Sequence, residues 1–111
     1  MNIKETTEEL SSSFSGGWWN YRLIEKASSW TDISGKTYTD IFYEIHEVYY
    51  NSHGSIIAWS EGPMSIYFED YSDYKEIKKH LKSAYKNTVL KLENDSLIET
   101  NKTLKQISKR R

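Results

Sequence analysis

Ten residues, Ile41 to Tyr50 (Ile-Phe-Tyr-Glu-Ile-His-Glu-Val-Tyr-Tyr), constrain this chain more than any other segment. They are dense in β-branched and aromatic side chains, which fit a pleated, half-buried surface better than a helix, where branching at Cβ crowds the preceding turn. Asn51-Ser52-His53-Gly54 follows as turn chemistry and Ser55 to Glu61 resumes the pattern, so the spacing predicts an antiparallel hairpin. A fold for this chain therefore contains a sheet.

Upstream, Trp19, Tyr21 and Leu23 alternate with Asn20, Arg22 and Glu25, a period of two that predicts a half-buried first strand over Trp18 to Lys26. Ala27 to Thr39 mixes the turn residues Ser28, Ser29, Ser34, Gly35 and Lys36 with Trp30 and Ile33, and reads as a long loop or an irregular hairpin. Gly62-Pro63 interrupts the ladder because proline has no N–H to donate, and Met64 to Phe68 reads as a short continuation or an edge strand. Asp73 with Glu76 resembles a capping box, and Tyr74, Ile77, Leu81, Ala84 and Tyr85 recur at helical spacing as far as Asn87. Beyond it, Thr88 to Glu93 alternates as an optional last strand. Ser96 with Glu99 repeats the helix-start pattern ahead of Leu97, Ile98, Leu104 and Ile107, so the tail reads as a sparse helix.

The expected class is α+β: a three- to four-stranded antiparallel sheet with one amphipathic helix packed on one face, and a C-terminal helix as an optional addition. Residues 1–17 read as a flexible leader rich in Ser and Gly, 18–93 as one domain, and 94–111 as a basic tail or helix. A chain of 111 residues suits a single domain, and its sixteen aromatic residues supply core volume that a hydrophobic fraction of 37% would otherwise leave short.

No cysteine is present, which excludes disulfides and thiolate chemistry and argues for a reducing compartment. No apolar run reaches the roughly 18 residues of a membrane span, and Met1 to Leu10 is acidic and polar, unlike a signal peptide. The expected location is the cytoplasm, with no membrane partner. Charge divides unevenly. Residues 1–73 hold four Lys/Arg against twelve Asp/Glu, whereas residues 74–111 hold eleven against four, a split that would steer a charged partner.

Three blocks, Trp19-Asn20-Tyr21-Arg22-Leu23-Ile24, Tyr43-Glu44-Ile45-His46-Glu47-Val48-Tyr49-Tyr50 and Ile56-Ile57-Ala58-Trp59-Ser60-Glu61-Gly62-Pro63, resemble a family of short uncharacterised bacterial proteins. That family reads W-N-Y-R-V-I, Y-x-I-H-E-V-Y-Y and I-x-x-W-x-E-x-P before a helix, and it has no established activity. The resemblance spans residues 18–93 and implies the same domain limits. The connection Ala27 to Ile41, the tail after Glu93 and the lysine-rich helix depart from the pattern.

A hairpin closing with Tyr50 opposite Ser55 sets Val48 against Ile57, His46 against Trp59 and Glu44 against Glu61. Imidazole beside carboxylates is the minimal set for acid/base chemistry, and the same trio of His46, Glu44 and Glu61 offers nitrogen and oxygen ligands to a metal. No nucleophile elbow, phosphate-binding glycine loop or His-Glu-x-x-His pattern accompanies it, so a packed histidine beside solvated acids is the preferred reading. Neither catalysis, a cofactor nor a metal is expected.

The helix stripe covers one sheet face, and the other, with His46, Val48, Tyr50, Ile57 and Trp59, then awaits the tail, a second copy or another protein. Lys75, Lys79, Lys82 and Lys86 line one side of the helix and Arg110 and Arg111 end the tail, a stripe suited to phosphates but equally to a solvated face. The expected function is a small non-enzymatic protein that binds another protein as adaptor, regulator or stoichiometric inhibitor, of the kind phages and mobile elements carry, with homodimerisation open. Nucleic-acid binding through the lysines is the second expectation, and a hydrolase or metal site at His46, Glu44 and Glu61 the third.

Overall fold

The computed structural model describes residues 17–66 and 69–108. The expected leader, apart from Gly17, and the basic end with Arg110 and Arg111 lie outside the described residues. Strands β1 (Trp18–Thr31) and β2 (Thr37–Tyr50) form a long antiparallel hairpin, paired without a break from Trp18↔Tyr50 to Thr31↔Thr37. There follow β3 (Ile56–Trp59), helix α1 (Tyr71–Lys86), β4 (Thr88–Glu93), β5 (Ser96–Thr103) and the one-turn helix α2 (Leu104–Ser108).

Among the described residues the strands make one five-stranded sheet in the order β3-β2-β1-β4-β5. The α+β class is as expected, but the wholly antiparallel sheet is not: β4 lies parallel to β1 through Ile24↔Leu90 and Glu25↔Lys91. The helix between β3 and β4 explains this, because a crossover long enough to hold α1 returns the chain in the direction that a tight hairpin cannot.

Helix α1 starts three residues before the expected capping box. Asp70 is the N-cap, its side chain accepting from the Asp73 amide at 2.9 Å, while Asp73 accepts from the Glu69 amide at 3.3 Å. The helix covers the sheet face of Leu23 and Val89, where the small Ala84 is fully buried, and α2 adds Leu104 and Ile107 to the same cluster. His80 lies against Tyr21 with ring centroids 4.7 Å apart. Ile77 and Leu81 are half-buried, but Tyr74 and Tyr85 of the expected stripe are exposed.

The opposite face holds a second cluster. Ile24, Val48, Tyr50 and Leu90 are buried, with Ile56 and Trp59 of β3 packed on them from one edge and Leu92 and Leu97 from the other. Trp18 stacks on Tyr50 at 4.0 Å. The large side chains of the two edges thus shield much of the face that α1 does not cover.

Two expectations need correction for identifiable reasons. Of the long loop or irregular hairpin expected over Ala27 to Thr39, the loop is not found: the segment is the far half of the β1–β2 hairpin, regularly paired and closed over Asp32 to Lys36. Asp32 organises the turn by accepting from the amides of Ser34 and Lys36 and from the hydroxyls of Ser34 and Tyr38, and Gly35 supplies φ = 89°. Ser29 meets Thr39 and Thr31 meets Thr37, each hydroxyl pair at 3.0 Å, so residues that look like loop composition are cross-strand partners. Likewise Ser96 to Thr103 is a strand and not the start of a helix. Asn94 and Asp95 have φ of 48° and 59°, the two positive values of a type I′ hairpin turn. The sheet therefore continues past Glu93. The capping box falls later, with the Gln106 amide 3.4 Å from Thr103 Oγ1 and Gln106 Oε1 accepting from the Thr103 amide at 2.8 Å.

Candidate functional site

Asn20 and Arg22, the polar positions of the first block, point into the molecule on the face of Ile24 and not to solvent. Arg22 is only 8% exposed. Its guanidinium donates to the Thr88 carbonyl at 3.1 and 2.7 Å, to Thr88 Oγ1 at 3.0 Å, to Glu99 Oε2 at 2.9 Å and to the Tyr50 hydroxyl at 3.0 Å. Tyr50 in turn donates to Asn20 Oδ1 at 2.7 Å. One side chain on β1 thereby fastens β2, the start of β4 and β5. Burial pushes the Tyr50 phenol up, and although burial also raises Glu99, hydrogen bonds from Thr88 and Arg22 outweigh it and hold that carboxyl below the usual range. The conspicuous sequence blocks therefore build the interior. An arginine between Tyr21 and Leu23 is the clue that alternation alone misreads as a solvent face.

His46 is completely buried beside Arg22, its cross-strand partner. Nδ1 lies 2.8 Å from the Ser60 carbonyl, which can only accept, so this nitrogen is the donor. Nε2 is 3.4 Å from Glu44 Oε1, and Lys26 Nζ holds the same oxygen at 2.6 Å. The lysine contact chiefly, with His46 adding to it, holds the Glu44 carboxyl below its ordinary range. Glu61 is exposed and is not among the partners of His46. The expected register fails in two steps: the turn already sets Tyr50 opposite Ile56 and not Ser55, and a bulge at Ile57 adds a second shift, so that Tyr49 pairs with Ala58 and Val48 with Trp59. Among the described residues no group of three or more His, Cys, Asp or Glu could hold a metal ion. The histidine instead anchors the turn after β3, where the Ser60 amide also donates to the Glu47 carbonyl and that of Met64 to Ile45.

The residues expected to meet a partner divide. His46, Val48 and Tyr50 are buried in the domain, and Ile57 and Trp59 are half-buried on β3. Lys75, Lys79, Lys82 and Lys86 are all exposed on α1. Lys75, Lys78, Lys79 and Lys82 line a shallow groove of about 210 Å³ with Tyr71 and Tyr74, and the Lys75 ammonium stands 5.8 Å from the centre of the Tyr71 ring.

A surface that the sequence reading missed is the projecting end of the β1–β2 hairpin. From Ala27 to Thr31 and from Thr37 to Phe42 neither strand has a neighbour other than the other strand among the described residues. Asp32 and Tyr38 are half-buried there and the remaining residues of this arm are exposed. Trp30, 51% exposed, stacks on Tyr38 at 4.5 Å and donates to Asp40 at 3.2 Å, and Phe42 lies on the same face. The other face carries the hydroxyl pairs and Ile41. Ile33 stands fully exposed at the tip. No helix among the described residues is long and apolar enough to cross a membrane. Comparison with known proteins returned no matching family model, no matching curated protein and no matching solved structure.

Proposed function

We propose that this chain is a non-enzymatic protein-binding domain, an adaptor, regulator or stoichiometric inhibitor, whose contact element is the β-arm. The observation that carries the reading is the arm itself. A two-stranded ribbon open to water on both faces exposes Trp30, Ile33, Ile41 and Phe42, apolar groups that serve no core of their own. Aromatic side chains presented on a backbone already ordered by fourteen-residue strands give a partner large contact area at small entropic cost. The burial of His46 and the exposure of Glu61 away from it remove the support for a hydrolase or metal site. The test is cross-linking in cells of the source organism with a photoreactive residue in place of Ile33. The same adduct should form in repeated captures and vanish when Trp30→Ala and Phe42→Ala are combined. An adduct unchanged by that pair of substitutions would contradict the reading.

The tyrosine- and lysine-lined groove of α1 favours a second reading, binding of single-stranded nucleic acid, with lysines on phosphates and Tyr71, 72% exposed, under a base. Retention on an oligonucleotide should then fall steeply with salt and drop when Lys75 and Lys79 are changed to Glu.

A further inference from the structure

We propose that two copies of this chain pair antiparallel through the outer edge of β2 along the arm, with Thr37 and Thr39 of one copy bonded to Thr39 and Thr37 of the other. The inference rests on the arm being a contact element and adds what its edge takes.

The phase of the hairpin ladder identifies the free groups. The Asp32 amide donates to the Lys36 carbonyl, so hydrogen-bonded pairs then recur at every second position, at Trp30↔Tyr38 and Ser28↔Asp40. The intervening residues Thr37, Thr39 and Ile41 direct their N–H and C=O groups away from β1. Farther along β2 the same parity is observed directly: the carbonyls of Ile45 and Glu47 accept from Met64 and Ser60. Among the described residues no strand lies against the edge from Thr37 to Ile41.

This edge lacks the devices that usually block such pairing. The arm has no proline and no bulge, and its lysines are engaged, Lys26 with Glu44 and Lys36 5.2 Å from the Tyr38 ring.

The edge is also complementary to itself. With Tyr38 on the twofold axis, Tyr38 faces Tyr38, while Lys36 of each copy faces Asp40 of the other. These fall in non-hydrogen-bonded pairs, where side chains approach most closely, and Thr37 and Thr39 exchange the ladder bonds. The register holds from Lys36 to Asp40, because the chain reverses over Asp32 to Lys36, and the two bodies lie at opposite ends of the joined arms. The isologous contact is small, which makes the pair weak and concentration-dependent.

Sedimentation equilibrium on the full chain up to millimolar concentration tests the pairing. The wild type should approach dimer mass. Thr39→Pro removes an outward amide without touching the β1–β2 ladder, and should remain monomeric with unchanged far-ultraviolet dichroism. Asp40→Lys should weaken association roughly tenfold by setting lysines opposite each other, and adding Lys36→Asp should restore it. A wild type that stays monomeric overturns the self-pairing but leaves the protein-binding reading to its own cross-linking test. A dimer that survives both Thr39→Pro and Asp40→Lys places the interface elsewhere, and failure of the double swap to recover dimer overturns the register.

Discussion

Removing Arg22 strands several polar groups at once. Arg22→Met fills similar space but leaves the Tyr50 hydroxyl and the Thr88 carbonyl without their donor and Glu99 without its cation. Hydrogen bonds from charged groups carry about 1.5–3 kcal/mol, so a loss of roughly 2–3 kcal/mol in urea denaturation is expected. Titration supplies a second test at this scale. Glu44 and Glu99 are both held below the ordinary carboxylate range, so each contributes stability above that range which is lost as pH falls through its folded value. Stability should therefore decline on acidification below the usual glutamate value of about 4.3, and Glu44→Gln should make the decline shallower. At the other end of the scale, burial chiefly, reinforced by Glu47, pushes the Tyr49 phenol up to about 12. Folding keeps it neutral, so its contribution is complete below the unfolded value near 10 and is lost as pH rises through the folded one. Ultraviolet titration should show Tyr21, Tyr49 and Tyr50 ionising above the ordinary phenol value of about 10, because all three are raised.

The elements owe their ends to short-range chemistry that substitution can address. Asp70→Ala should cost about 1 kcal/mol through loss of the α1 cap. Asp32→Ala removes the acceptor of the arm's turn, and should raise amide exchange at the tip while leaving exchange in Leu23, Val48 and Leu90 unchanged. The hairpin at Ile41 to Tyr50 and the helix ending at Lys86 are legible in sequence because their apolar spacing is driven by burial. The arm is not, because its strands bury almost nothing. Ser28, Ser29, Thr31, Thr37 and Thr39 have the composition of a loop, and only cross-strand pairing reveals their order. Asn94-Asp95 was the missed turn, outweighed by the helix-like spacing of Leu97, Ile98 and Leu104. His46, Glu44 and Glu61 miss the expected register because the turn sets Tyr50 opposite Ile56, a bulge at Ile57 shifts the pairing again and the strand ends at Trp59, and composition gives no warning of these shifts.

For the molecule as a whole, a body built on two clusters carries an arm whose strands bury almost nothing. The blocks Trp19-Asn20-Tyr21-Arg22 and Glu47-Val48-Tyr49-Tyr50 build that body, whereas the connection from Ala27 to Ile41 and the lysine-rich helix supply exposed surfaces. The proposed binding therefore falls on the arm. The most direct measurement replaces Ala27 to Ile41 by a two-residue Asn-Gly turn joining Lys26 to Phe42, a hydrogen-bonded pair of the ladder, and compares thermal unfolding and partner capture with the wild type, using a photoreactive residue at Phe42 in both. The account predicts a cooperative melt within a few degrees of the wild type together with loss of the captured partner. Capture that persists without the arm, in a body that still folds, would contradict it.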